Sequence, residues 1–412
     1  MHRGLLRFAI GCATLVFEPR RAGRKIRPAR SMLTRQVLQE LATAEPRRLV
    51  ISIHARTDPR DPANTSATPA WLIELRNGLR AISDQLERGD DRDNRLAFRE
   101  LRGRIERELT DLTAAERARS VTWILATDGT TDRFSLQLPL RRDRTVADTK
   151  PFVSPLVDVA DRGAPVGVVL VGGDLIRLVQ IEQGEATEPE DSSFELSLGD
   201  WRPFGGSAGG SPGRGLQITS HEERHGARVE AQRDRLFETA AAQTATRSAA
   251  LGWERVVLIA EGQVASRFRG ALPPTVRELV IAEADLNVVT ETLPALADTV
   301  EPLIEEAWQR RTDALAQLAS ERAKGGGAAT LGPQETFGAL AEGRVEHLLI
   351  DQDHDFSSAI GSVPSAIRGP SHLLGERAVE AAIASSAQVT SLSAETSAAL
   401  READGIAALL RY

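Results

Sequence analysis

Val166-Gly167-Val168-Val169-Leu170-Val171 is followed by Gly172-Gly173-Asp174 and then by Leu175-Ile176-Arg177-Leu178-Val179-Gln180-Ile181. Two apolar runs joined by a glycine pair predict an antiparallel hairpin, because glycine reaches the positive φ angles that short turns need. A third strand is expected around residues 194–198. It leads into the low-complexity string Phe204-Gly205-Gly206-Ser207-Ala208-Gly209-Gly210-Ser211-Pro212-Gly213-Arg214-Gly215. Residues 219–250 hold no proline and one glycine, Gly226, which predicts a single long helix. Residues 255–260 and 277–282 predict two further strands.

Similar patterns lie on either side. Residues 49–53 form a short apolar strand, and residues 56–68 a polar loop. Thr68 followed by Pro69 marks a helix start. Leu72, Leu75, Leu79, Ile82 and Leu86 follow as one helical stripe, and Leu101, Ile105, Leu109 and Leu112 repeat it. Residues 121–126 and the alternating Phe134, Leu136, Leu138 and Leu140 pair as a hairpin. Beyond the central segment, Ile304, Trp308, Arg311, Leu315 and Leu318 mark a helix that Gly325-Gly326-Gly327 breaks. A short helix over 334–342, a strand over 345–350, a long polar loop near 351–373, a helix over 379–383 and a closing strand complete the chain. The fold class is therefore α/β in three domains: 32–155, 160–298 (with the glycine-rich loop at 204–217) and 299–412. Residues 1–31 form an extension, disordered or a mis-called start ahead of Met32.

Composition narrows the function. The 412 residues are 41% hydrophobic and 26% charged, ordinary for globular domains. The one cysteine, Cys12, excludes an intrachain disulfide and fits a reducing, cytoplasmic setting. Residues 1–31 hold eight Arg or Lys and one acid, and the remaining 43 basic and 57 acidic residues carry a net −14. An acidic body argues against a general nucleic-acid coat, so contact with RNA must come from local patches. No segment reaches membrane-spanning length.

The order strand, glycine turn, strand, strand, glycine-rich loop, long helix, strand resembles the central domain of archaeal and eukaryotic class-one release factors and Pelota. Thr336-Phe337-Gly338-Ala339-Leu340-Ala341-Glu342-Gly343-Arg344-Val345-Glu346-His347-Leu348-Leu349-Ile350 and the ending Leu410-Arg411-Tyr412 resemble that family's C-terminal domain. A Tyr-x-Cys motif cannot occur, since the single tyrosine is Tyr412, and Asn-Ile-Lys-Ser is also absent. Gly-Gly-Gln is missing too; the nearest string is Gly215-Leu216-Gln217. This points to the bacterial archaeo-eukaryotic release factor family, which includes the ribosome hibernation factor Balon. The resemblance implies an RNase H-like central domain, an α-β-α sandwich C-terminal domain and a divergent N-terminal α/β domain. It also implies a monomeric factor without cofactor that binds near the ribosomal A site. Its partners would be rRNA, tRNA and an elongation-factor-type GTPase, in hibernation or stalled-ribosome handling without stop-codon recognition.

Three chemistries compete along 204–235. Gly205, Gly206, Gly209, Gly210, Gly213 and Gly215 permit close backbone approach to RNA, and Arg214, Arg224 and Arg228 offer charge to phosphates, with Arg235 on the same helix face. Gln217 could position water on an ester carbonyl, as a peptidyl-tRNA hydrolase or rescue release factor requires. His221-Glu222-Glu223-Arg224-His225 has the spacing of a zinc hydrolase helix, but its surroundings are polar and Ala231 stands where a third histidine would be needed. Plainer readings are a Gly/Ser linker and a solvated helix whose Glu223, Glu230 and Asp234 pair with its arginines. Asp351, Asp353, His354 and Asp355 read as a polar loop at a strand end.

Overall fold

The computed structural model describes residues 33–110, 118–196, 215–393 and 397–412, with three sheets. The first is entered through α1 (Arg35–Ala42), where the Thr34 hydroxyl accepts from the Val37 N–H. β1 (Val50–Arg56), α2 (Ala70–Arg88), α3 (Arg92–Thr110), β2 (Ser120–Ala126), β3 (Thr131–Leu136) and β4 (Arg144–Asp148) follow. The strands run antiparallel in the order β3-β2-β1-β4. Successive side chains on a strand face opposite ways, so one sheet yields two cores. Ile51 and Ile53 pack with Trp71, Leu75, Leu79 and Ile105 of α2 and α3. Val50, Phe134 and Leu136 face the other way. Thr68 is not the cap expected from the sequence: Pro69 holds that position without a side-chain hydrogen bond.

α4 (Ser154–Arg162) occupies the stretch that the sequence leaves as a join. Ser154 through Val159 are all buried. At its start, the Glu376 carboxylate accepts from the N–H groups of Val153 (2.5 Å) and Ser154 (3.1 Å) and from the Ser154 hydroxyl. Near its end, Asp158 accepts from Arg141 and Arg162, both at 3.0 Å. Asp161 accepts from the Thr390 hydroxyl at 3.0 Å and from Trp308 Nε1 at 3.3 Å.

The second sheet contains β5 (Val166–Val171), β6 (Leu175–Glu182), β7 (Glu185–Thr187) and β8 (Ser193–Glu195), then α5 (Gly215–Leu251) and β9 (Arg255–Ala260). α6 (Gln263–Ala271), α7 (Pro274–Arg277), β10 (Val280–Ala284) and α8 (Leu293–Lys324) complete it. Its order is β10-β9-β5-β6-β7, with β8 also on β6; β5, β9 and β10 are parallel and β6 is reversed. This is the RNase H-like arrangement that the resemblance implied. α5 and α6 cover one face through Phe237, Ala240 and Phe268. The first half of α8 covers the other through Leu296 and Val300. Gly167 is needed for packing: a Cβ there would sit 2.1 Å from the Trp253 ring. The strand expected at 277–282 starts only at Val280, because Pro273 and Pro274 draw Arg277 into a helical turn.

α8 runs on without a break to the third sheet, formed by β11 (Ala329–Leu331), β12 (Val345–Ile350), β13 (Gln388–Ser391) and β14 (Ile406–Leu410) in the order β11-β14-β12-β13. α9 (Pro333–Ala341) and α10 (Leu374–Ala384) cover one face, and α11 (Ala398–Glu402) and the second half of α8 the other. This is the expected α-β-α sandwich. The polar loop expected at 351–373 is instead a packed one, whose 3-10 turns and links bury Phe356, Val363, Ile367 and Leu373. The core under α9 and α10 is continuous with that of the first sheet: Leu38, Phe134, Leu156, Phe337 and Val379 belong to one cluster. No helix among the described residues is long and apolar enough to cross a membrane.

Burial pushes the Glu376 carboxyl up to about 7, against the pull of its three hydrogen bonds. Between its ordinary value and 7 the folded chain keeps a proton that the unfolded chain has released, so this group weakens the fold as pH rises. The stability difference between the parent and Glu376→Gln is therefore expected to shift against the parent by up to about 3 kcal/mol between pH 5 and 8. Denaturant titrations at both pH values check it; parallel profiles would contradict it.

Candidate nucleic-acid interface on the long helix

α5 has 37 residues and so spans about 55 Å. Its second half is embedded, with Leu236, Phe237, Ala240, Ala241, Thr244 and Ser248 buried. Of the described side chains before Leu236, Val229 and Arg233 are half-buried and the rest are exposed. The described residues ahead of Leu236 are held by a lattice of charges. Arg267 donates to Glu230 (2.7 Å) and Asp234 (2.6 Å). Arg233 donates to Glu230 (2.8 Å) and to the Gly173 carbonyl (2.9 Å) in the β5–β6 turn. Arg267 also lies 6.0 Å over the Phe237 ring, which meets Phe268 edge-on at 5.7 Å. The two carboxylates hold the Arg267 guanidinium above its ordinary pKa.

The acids Glu230 and Asp234 are thus taken by Arg233 and Arg267. Arg228 and Arg235 are exposed and form no ion pair with a described residue. Gly205, Gly206, Gly209, Gly210, Gly213 and Arg214 lie outside the described residues. Gly215, Gln217, His221, Arg224 and His225 lie on the helical backbone of α5, and the description stops at their backbone. That backbone is unbroken, and the 3.6-residue period puts positions 217, 221, 224, 228 and 235 on one face. The glutamine, the first histidine and the three arginines singled out in the sequence therefore share a single stripe of positions. Arg233 and Arg267 were missed; Arg233 pairs with Glu230 at i,i+3 within α5, but its bond to the Gly173 carbonyl and both Arg267 contacts cross between elements, which no local spacing announces.

Other candidates resolve into structure. Asp353 pairs with Arg142 and Arg144, His354 with Asp404 at 3.2 Å, and Asp355 accepts from the Ser357 N–H at 2.9 Å to start a 3-10 turn. Among the described residues no three His, Cys, Asp or Glu gather as a metal site. Gly172-Gly173 forms the hairpin turn, with the Gly172 N–H on the Leu175 carbonyl at 2.8 Å.

Residues 151–305, from the approach to α4 through the first half of α8, match the family model for bacterial archaeo-eukaryotic release factor family 10. The match agrees with the family that the sequence resemblance implied and covers about 38% of the chain. No curated protein matches the chain. Among solved structures, the archaeal translation termination factor aRF1 is 16% identical, with 92% of this chain and 99% of that one covered and a TM-score of 0.24. The archaeal Pelota of a ribosome-bound Pelota–ABCE1 assembly is 17% identical (67% and 73% covered, TM-score 0.41). Dom34 of S. cerevisiae, described as a termination-like factor that interacts with Hbs1, is 9% identical (71% and 86% covered, TM-score 0.37).

The charge lattice predicts a local effect. Arg267→Glu sets like charges against Glu230 and Asp234, so amide exchange at 227–235 should quicken severalfold while 240–248 stays protected. Hydrogen-exchange mass spectrometry reads both segments; equal change in the two would contradict the lattice as the local anchor.

Proposed function

We propose that the chain is a ribosome-associated translation factor that binds near the A site. In this reading α5 carries the glycine-rich segment 204–217 towards the peptidyl-transferase centre. The role is hibernation or stalled-ribosome handling in the cytoplasm, without stop-codon recognition. The observation that carries the reading is α5 itself, a 37-residue helix in the release-factor-like segment whose second half is embedded against the sheet while the side chains of 227–235 are exposed or half-buried. A helix of this kind is a rigid arm. Its exposed Arg228 and Arg235, with Arg224 on the same face, suit the phosphates of rRNA or tRNA. An elongation-factor-type GTPase is the delivery partner this reading expects, and the factor acts as a monomer.

Co-sedimentation with 70S ribosomes over a salt series tests it. Retention on particles with a vacant A site, lost on adding A-site tRNA, supports the reading; no retention at low salt removes it. Arg228→Glu with Arg235→Glu should weaken retention and flatten its salt dependence by about one to two units of slope. Ala227→Pro breaks the arm ahead of its anchored half. It should abolish retention while moving the unfolding midpoint of the body by less than about 2 °C, because the loss is local. An Ala227→Pro chain that binds like the parent would show that the arm is not used.

A further inference from the structure

A cavity of about 360 Å³ lies where the first sheet, the end of α4, the edge of the second sheet and the first half of α8 meet. It is within the range of small-molecule sites, about 300–1,000 Å³. The α5 arm and the reading built on it use none of its residues. Leu138, Val166, Ile181, Ala297 and Ile304 give it an aliphatic lining. Its charged groups are three arginines and four acids, and one acid, Asp58, lies in the first unit beside Arg60 (3.2 Å) and Arg119 (3.0 Å). Arg60, Arg119 and Arg162 come from the first unit and α4; Asp298, Glu301 and Glu305 come from α8.

These groups meet in pairs: Arg60–Asp298 at 2.9 Å, Arg119–Glu301 at 2.6 Å and Arg162–Glu305 at 3.8 Å. The innermost guanidiniums are the least exposed, Arg119 at 21% and Arg162 at 10%. Charge balance then selects the ligand. An anion that took Arg119 would strand the Glu301 carboxylate, and a cation that took Glu301 would leave Arg119 to Asp58 alone, 3.0 Å away. The anion thus breaks the Glu301 pair outright, and the cation costs Arg119 the closer of its two carboxylates. A zwitterion exchanges one ion pair for two and strands nothing.

We propose that this cavity binds a free α-amino acid with an aliphatic or aromatic side chain. Its carboxylate sits on Arg119, its ammonium on Glu301, and its side chain on the lining formed by Leu138, Val166 and Ile304. Thermal unfolding of the full chain at fixed ionic strength, with L-leucine or L-phenylalanine, tests this. Isoamylamine and 4-methylpentanoate serve as controls that each lack one charge. A midpoint rise of about 2–4 °C at tenfold excess over the dissociation constant is expected for an amino acid, and none for either control. Ala297→Trp, which fills the cavity, and Glu301→Gln, which leaves Arg119 its Asp58 partner, should each remove the rise. No rise with any apolar amino acid at about 10 mM, an affinity too weak to matter, overturns the proposal. So does an equal rise with either control, or a rise that survives Glu301→Gln.

Discussion

The Glu376 carboxylate at the start of α4 is the contact on which the arrangement of the three sheets depends. Among the described residues no cation forms an ion pair with it: its donors are two N–H groups and one hydroxyl at a helix N-terminus, where the backbone partial charge favours an anion. Through this contact α10 of the third sheet holds the helix that leads from the first sheet into the second. Next to it, the Phe152 N–H donates to the Ser52 hydroxyl at 2.9 Å, and the Phe152 carbonyl accepts from His54 Nε2 at 3.1 Å. Since the carbonyl can only accept, Nε2 carries the proton and Nδ1 accepts from the Thr122 hydroxyl. Burial pushes His54 down to about 3. It therefore stabilises the fold above its ordinary value near neutrality, and that contribution fades as pH falls towards 3.

The far end of α4 carries a second buried relay. His347 Nε2 donates to the Thr390 hydroxyl at 2.9 Å, and Thr390 donates to Asp161 at 3.0 Å. Arg255 of the second sheet donates to the Asp161 carbonyl at 2.8 Å. Burial raises the Asp161 carboxyl and, with Arg311 nearby, lowers His347 to about 4. The first and third sheets share one apolar core, whereas the second meets the first through polar and close backbone contacts. Gln183, at φ 50°, holds both the N–H and the carbonyl of Leu33 at 2.8 Å. A Cβ at Gly184 would lie 2.6 Å from the Gln137 carbonyl.

Much of this was legible in the sequence because apolar runs and turn residues coincide. The hairpin around Gly172-Gly173, the proline-free α5, β9, the α9–β12 unit and β14 all announce themselves. What stayed hidden has a common cause. β4 and β11 are short and largely half-buried and β7 is mostly exposed, so polar residues stand where an apolar alternation would mark a strand. α4 is buried all round its first half, and at nine residues it is too short for Leu156, Val157 and Val159 to establish a helical period in the sequence. The loop at 351–373 is polar in composition but places single apolar residues into the core. For the candidate site, Arg228 and the helix face could be read from spacing. The Arg233–Glu230 pair lies within α5 at i,i+3, but the Arg267 contacts and the bond to Gly173 could not be read from spacing, since they join α5 to α6 and to the β5–β6 turn. The amino-acid cavity likewise exists only where four elements meet.

A density map of the chain bound to vacant 70S ribosomes tests the central claim most directly. The chain is expected in the A-site region, with α5 lying along rRNA, Arg228 and Arg235 against phosphates and its Gly215 end towards the peptidyl-transferase centre. A chain bound elsewhere, with the arginine face of α5 turned to solvent, would contradict it.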